Sequence, residues 1–250
     1  MDKYLIRYSC LFLLFFITAC SDKTNTLNIA VASNFEKTLQ SIVKQYQKIN
    51  KDPENPLTIN IIPGSSGILA NQISNNAPFD LFLSADTSKA QFLFEKKKLT
   101  HLPEVYAIGN LALWIPEQNS QGDCLKKLSS INTLAIANPN TAPYGSLAAK
   151  IINKNNIHVA KIIYTANISQ AYLYTKDNLA QAGFIAYSML EKDAKGCIQV
   201  FQDSTLSQSM LLLNKKAEKL YHFILSKKIQ NLIHDSGYNT ETRLLKNHNQ

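Results

Sequence analysis

Arginine is nearly absent from this chain: of 26 basic residues, Arg7 and Arg243 alone carry a guanidinium and the rest are lysine. A nucleic-acid reader leans on the planar arginine fork for bidentate contacts to bases and phosphates. The lysines are spread along the chain, with Lys96, Lys97 and Lys98 as the longest run. The formal net charge of +8 over 250 residues therefore describes a solvated basic surface, and no nucleic-acid partner is expected. Catalytic signatures are missing too. The five histidines, His101, His158, His222, His234 and His248, form no helical pair and lie near no cysteine at metal-ligand spacing. No Gly-x-Ser-x-Gly elbow, P-loop or dinucleotide fingerprint occurs. The expectation is a protein that is not an enzyme, with no catalytic residue, no metal site and no cofactor. With 45% hydrophobic and 18% charged residues, disorder and a small disulfide scaffold are both excluded.

What is present begins with an address. Lys3 and Arg7 precede an almost unbroken apolar run over residues 8–18, too short for a hydrocarbon core that needs roughly 20 residues. It fits a signal-peptide core. The run ends in Ile17-Thr18-Ala19-Cys20, which resembles the bacterial lipobox; a general signal peptide with an incidental cysteine is the plainer alternative. Residues 1–19 are expected to leave as a signal peptide, and 20–26 to form a tether lipidated at Cys20. No later stretch of 18 apolar residues exists, so the exported body is expected to meet a membrane through its lipid alone. Cys124 and Cys197 remain in the folded part. In an oxidising compartment they either pair or stay as two separate thiols.

Beyond the tether, apolar runs alternate with helical patterns. Strands are expected at 27–32, 57–62, 80–84, 134–137, 161–164, 183–187, 197–201 and 210–213. Helices are expected after Ser33, after Gly67, after Asp86, at 146–154 and 169–175, and twice between Lys216 and Asp235. In the first helix, Phe35, Leu39, Ile42, Val43, Tyr46 and Ile49 fall on one face. Such alternation argues for an α/β fold with largely parallel sheets. Two series flanking the long apolar stretch 105–115 suggest two lobes with a cleft between them.

Several junctions into helices carry small or hydroxylic residues: Ser33-Asn34, Ser65-Ser66, Tyr144-Gly145-Ser146 and Asn167-Ile168-Ser169. A helix start leaves backbone N–H groups unpaired and presents the positive end of a dipole. Several converging would hold an anion without a cationic side chain. Plain helix capping by serine and asparagine is the alternative.

Ala30-Val31-Ala32-Ser33-Asn34-Phe35, Gly64-Ser65-Ser66-Gly67 and Ala77-Pro78-Phe79-Asp80-Leu81-Phe82-Leu83-Ser84-Ala85-Asp86 resemble the periplasmic molybdate-binding proteins of ABC transporters. Asn138-Pro139, Pro143-Tyr144-Gly145 and Gly183-Phe184-Ile185-Ala186 continue the likeness in the same order. The resemblance implies a two-lobed type II periplasmic binding fold whose chain crosses between lobes twice. Lobe one would hold 27–105 with 209–250, and lobe two 106–208. It also implies a ligand set: Ser33 and Ser66 through hydroxyls, and Asn34, Tyr144 and Ile168 through backbone N–H, with Ser65 as an additional candidate. Some relatives place a tyrosine where Ala186 stands, and Tyr187 is left out of the set. The implied function is an exported, monomeric receptor that captures molybdate or tungstate and delivers it to an inner-membrane ABC permease. A receptor for another tetrahedral oxyanion such as sulfate is the second reading, and an enzyme built on the same fold the third.

Overall fold

The computed structural model describes residues 25–117 and 123–240; Cys20 and the leader lie outside the described residues. In chain order the elements are β1 (Thr26–Ala32), α1 (Glu36–Ile49), β2 (Thr58–Gly64), α2 (Ser66–Ser74), β3 (Leu81–Leu83) and α3 (Thr87–Lys97). There follow β4 (Glu104–Ile115), α4 (Cys124–Lys127), β5 (Thr133–Ala137), α5 (Pro143–Lys154), β6 (Lys161–Thr165) and α6 (Ile168–Lys176). The series closes with β7 (Ala182–Ala186), β8 (Cys197–Leu212), α7 (Glu218–Leu225) and α8 (Lys227–Asp235). One eight-stranded sheet runs in the order β2-β1-β3-β8-β4-β7-β5-β6.

The expected parallel pairing holds at both ends of this sheet. β1 pairs parallel with β2 and β3, and β5 pairs parallel with β6 and β7. These ends are the cores of the two lobes, and helices cover them as crossover connections require. The middle departs from expectation. β4 and β8 are long and antiparallel to each other and to their neighbours β7 and β3. The strands expected separately at 197–201 and 210–213 are both parts of β8. Two irregularities explain the misreading. Leu111 faces Phe201 while Asn110 faces Thr205, so residues 202–204 bulge out of the ladder. A second bulge at Tyr106 separates Val105 opposite Ser209 from Ala107 opposite Gln208. Bulges bend and twist a strand, and here they carry one pair of strands through both lobes.

Each lobe has its own apolar core. Leu39, Ile42, Val43 and Tyr46 of α1 pack with Ile29, Val31, Leu220 and Ile224 in the first. Fully burying such a side chain stabilises by about 1.5–3 kcal/mol. Ile49, expected on the same face, is 66% exposed at the end of α1. In the second lobe Leu113, Leu134, Ile136, Ala148 and Phe184 form the core, with Cys124 and Cys197 beside them. Those two cysteines are bonded, at a Cα separation of 5.8 Å, tying α4 to the first residue of β8. Among the described residues no helix is long and apolar enough to cross a membrane.

Candidate functional site

Four helix starts converge on one cavity. Ser33 opens the turn Ser33–Phe35 between β1 and α1, and Ser66 opens α2. From the second lobe come Tyr144, next to the Pro143 that begins α5, and Ile168, the first residue of α6. Every residue expected at the site, Ser33, Asn34, Ser65, Ser66, Tyr144 and Ile168, lines this cavity. The other lining residues are Ala32, Gly64, Ala85, Ala142 and Pro143, and among the described residues no charged side chain lines it. Tyr187, left out of the set, is 42% exposed and is not part of the lining.

Two of the hydroxyls already accept a backbone N–H. Ser66 Oγ accepts the Ala85 N–H at 2.9 Å, and Ser33 Oγ accepts the Ser169 N–H at 3.4 Å. A serine that already accepts retains its own proton to donate. Ser65 holds the N-cap position of α2 without a capping bond, and its Oγ is buried with no partner. A buried polar atom without a partner is costly, and this hydroxyl has its proton available to a group that enters the cavity.

The second lobe contributes backbone. At α6 the Asn167 side chain caps the Gln170 N–H at 3.0 Å, and the Ser169 N–H goes to Ser33. The Ile168 N–H belongs to the first turn, where no intrahelical acceptor exists. Tyr144 likewise sits in the first turn of α5. Its side chain is buried, and its hydroxyl accepts from Gln208 Nε2 at 3.1 Å. At the cavity, helix starts of opposite lobes are joined by the Ser169 N–H to Ser33 Oγ bond and by the Gly67 N–H to the Thr141 carbonyl at 2.9 Å. A Cβ at position 67 would stand 2.6 Å from that carbonyl oxygen, so glycine permits the approach.

Beneath the cavity lies a buried polar group that sequence reasoning missed. Asn34 Nδ2 donates to Gln208 Oε1 at 2.9 Å and to the Tyr238 hydroxyl at 3.1 Å, and that hydroxyl donates to the Asn34 carbonyl at 2.8 Å. The Tyr106 hydroxyl reaches both Gln208 Oε1, at 3.1 Å, and the Ser84 carbonyl, at 3.2 Å. Nothing in the sequence sets Gln208 apart from Gln202, six residues earlier in the same strand; burial alone distinguishes them, Gln208 being fully enclosed and Gln202 exposed. Burial raises the Tyr106 and Tyr144 hydroxyls well above the ordinary tyrosine value and pushes Tyr238 up to about 12. These hydroxyls stay protonated at neutral pH.

The arrangement suits a small, fully ionised oxyanion. Serine hydroxyls of the first lobe and helix starts of both lobes line one cavity, and the helix starts add their positive dipole ends. Hydrogen bonds to a charged acceptor are roughly twice as strong as neutral ones.

Residues 27–239 match the family of bacterial extracellular solute-binding proteins. The molybdate-binding protein ModA of Azotobacter vinelandii is 34% identical over 187 residues, 72% of this chain and 71% of that protein. ModA of Rhodobacter capsulatus is 31% identical over 227 residues, 85% of this chain and 87% of that protein. The solved structure of the Azotobacter vinelandii periplasmic molybdate-binding protein superposes with a TM-score of 0.77 at 25% identity, covering 86% of this chain and 99% of that one. The two-lobed type II periplasmic binding fold is thus shared with it. By these matches the chain belongs to the bacterial extracellular solute-binding proteins, in the family that holds the molybdate-binding proteins ModA.

Proposed function

We propose that this protein captures molybdate outside the cytoplasmic membrane and delivers it to the permease of an ABC transporter. The observation that carries the reading is the cavity lined by Ser33, Ser66 and helix starts from both lobes with no charged lining side chain, in a chain related to molybdate-binding proteins. Ser33 and Ser66 donate hydroxyl protons, and Asn34, Tyr144 and Ile168 donate backbone N–H groups. Ser65 Oγ, buried without a partner, is the additional donor. The ligand is cargo, and no cofactor or catalytic step is involved.

A pocket made of donors alone accepts an anion with no proton of its own. Hydrogen phosphate would turn its proton toward another donor and lose a bond. Size then favours molybdate and tungstate over the smaller sulfate. In this reading lobe one takes 27–105 with 209–250 and lobe two 106–208, of which 118–122 and 241–250 lie outside the described residues; the working unit is a monomer. The lipobox-like Ile17-Thr18-Ala19-Cys20 supports export to the cell envelope with a lipid anchor at Cys20. Cys20→Ala is expected to abolish acylation in metabolic lipid labelling, and unchanged labelling would remove the anchor from this reading.

Isothermal titration of the protein without its leader tests the ligand. Molybdate and tungstate are expected to bind with one site per chain, sulfate and phosphate far more weakly. Tighter binding of sulfate than of molybdate would overturn the assignment.

A further inference from the structure

Gln208 touches none of the cavity, yet its amide connects the residues that form it. It is fully buried on β8, opposite Ala107 and beside the bulge at Tyr106. Its Oε1 lies 2.9 Å from Asn34 Nδ2, in the first lobe, and 3.1 Å from the Tyr106 hydroxyl on β4. Its Nε2 donates to the Tyr144 hydroxyl, in the second lobe, at 3.1 Å. Asn34 and Tyr144 are cavity residues, so one side chain on a crossing strand holds a member of each half. The backbone is shaped around this contact. A Cβ at Gly109 of β4 would stand 2.0 Å from the Tyr144 hydroxyl oxygen and 2.5 Å from Gln208 Nε2. A side chain at this position would occupy the place of that hydrogen bond, which glycine leaves open.

We propose that Gln208 is the positioning residue of the binding site, fixing the Asn34 and Tyr144 segments relative to each other across the two crossing strands. It rests on the oxyanion-binding reading and adds to it a residue that sets affinity without meeting the ligand. A bound oxyanion needs donors from both lobes at one spacing. An amide that joins the two segments makes that spacing part of the folded protein, so less of it has to be imposed by the ligand. Loss of the amide lets the halves separate more readily, and the ligand leaves faster. The preference among anions is unaffected, because that is decided by the donors lining the cavity.

The test measures molybdate, tungstate, sulfate and phosphate binding to the wild type, Gln208→Met, Tyr144→Phe and the double variant, with the thermal midpoint of each ligand-free protein. Gln208→Met is expected to weaken the bound anion tenfold or more, through faster dissociation, with the order of anions unchanged. Tyr144→Phe keeps the backbone N–H and is expected to cost about three- to tenfold. The double variant is expected to lose no more than Gln208→Met alone, because both remove the same contact. A reordered anion preference, additive losses, or unchanged affinity in a folded Gln208→Met would overturn the inference while leaving the function standing. If Gln208→Met does not fold, Tyr144→Phe decides: unchanged affinity overturns the inference, and weakened binding with faster release supports it. A wild type that binds none of the four anions overturns the proposed function and this inference together.

Discussion

The two lobes face the same cavity with different chemistry. The first presents side chains: Ser33, Ser65 and Ser66 carry hydroxyls, two of them already accepting a backbone N–H. The second lines it with Ala142, Pro143, Tyr144 and Ile168, whose one polar side-chain group, the Tyr144 hydroxyl, is bonded to Gln208; in the proposed site this half acts through main chain. The difference teaches that a site for an anion can be half written in residue types and half in backbone direction. A substitution scan would find the first half and pass over most of the second.

The lobes differ in their fastening as well. Among the described residues the second holds the disulfide, Cys124–Cys197, closing a loop with a sequence separation of 73. In the chain-entropy account such a closure stabilises by roughly 4 kcal/mol. Replacing both cysteines with alanine is expected to destabilise the second lobe by an amount of that order. Urea denaturation followed by Trp114 fluorescence, which reports on the second lobe, should then show an earlier transition than probes of the first. Coincident, unshifted transitions would remove the contrast.

Next in size is loss of a hydroxyl from the first lobe. Ser66→Ala and Ser33→Ala each delete a donor to a charged acceptor, on the order of 1.5–3 kcal/mol, or about tenfold to a hundredfold in affinity by titration. Unchanged affinity in both variants would place the site elsewhere.

A pH titration of stability sharpens the comparison from beneath the cavity. Tyr238 has a folded pKa of about 12 against an ordinary 10.0, and Tyr106 and Tyr144 are displaced in the same direction by burial. A raised pKa means the fold favours the protonated hydroxyl. That contribution is complete below about pH 10 and is lost as pH rises through the folded value. Thermal midpoints are expected to hold below about pH 10 and to fall above it. A midpoint that is level to about pH 12 would contradict the burial of this group.

The smallest effect belongs to the second lobe. Ile168→Val keeps the backbone N–H and most of the packing, so affinity should change less than about threefold, near 0.6 kcal/mol. Tyr144→Ala is no such probe, because it would also remove a fully buried ring bonded to Gln208. An Ile168→Val loss larger than that of Ser66→Ala would reverse the assignment of roles.

Alternation of apolar runs with helical periodicity determined the α/β layers, because burial against a sheet imposes period two on strands and near four on helices. Motif order located the four helix starts, since serine and asparagine are favoured where N–H groups lack partners. The sequence left the cysteine pairing open, and the fold decided it by bringing Cys124 and Cys197 to 5.8 Å. It also left β8 divided, because a bulge at 202–204 interrupts the alternation a strand is recognised by. Gln208 is the clearest residue of that kind. Its type is common on exposed strands, and its importance comes from the bend that buries it between Asn34, Tyr106 and Tyr144. Local sequence determines which groups a segment can offer; the tertiary structure decides which of them meet, because their partners lie up to 204 residues away along the chain.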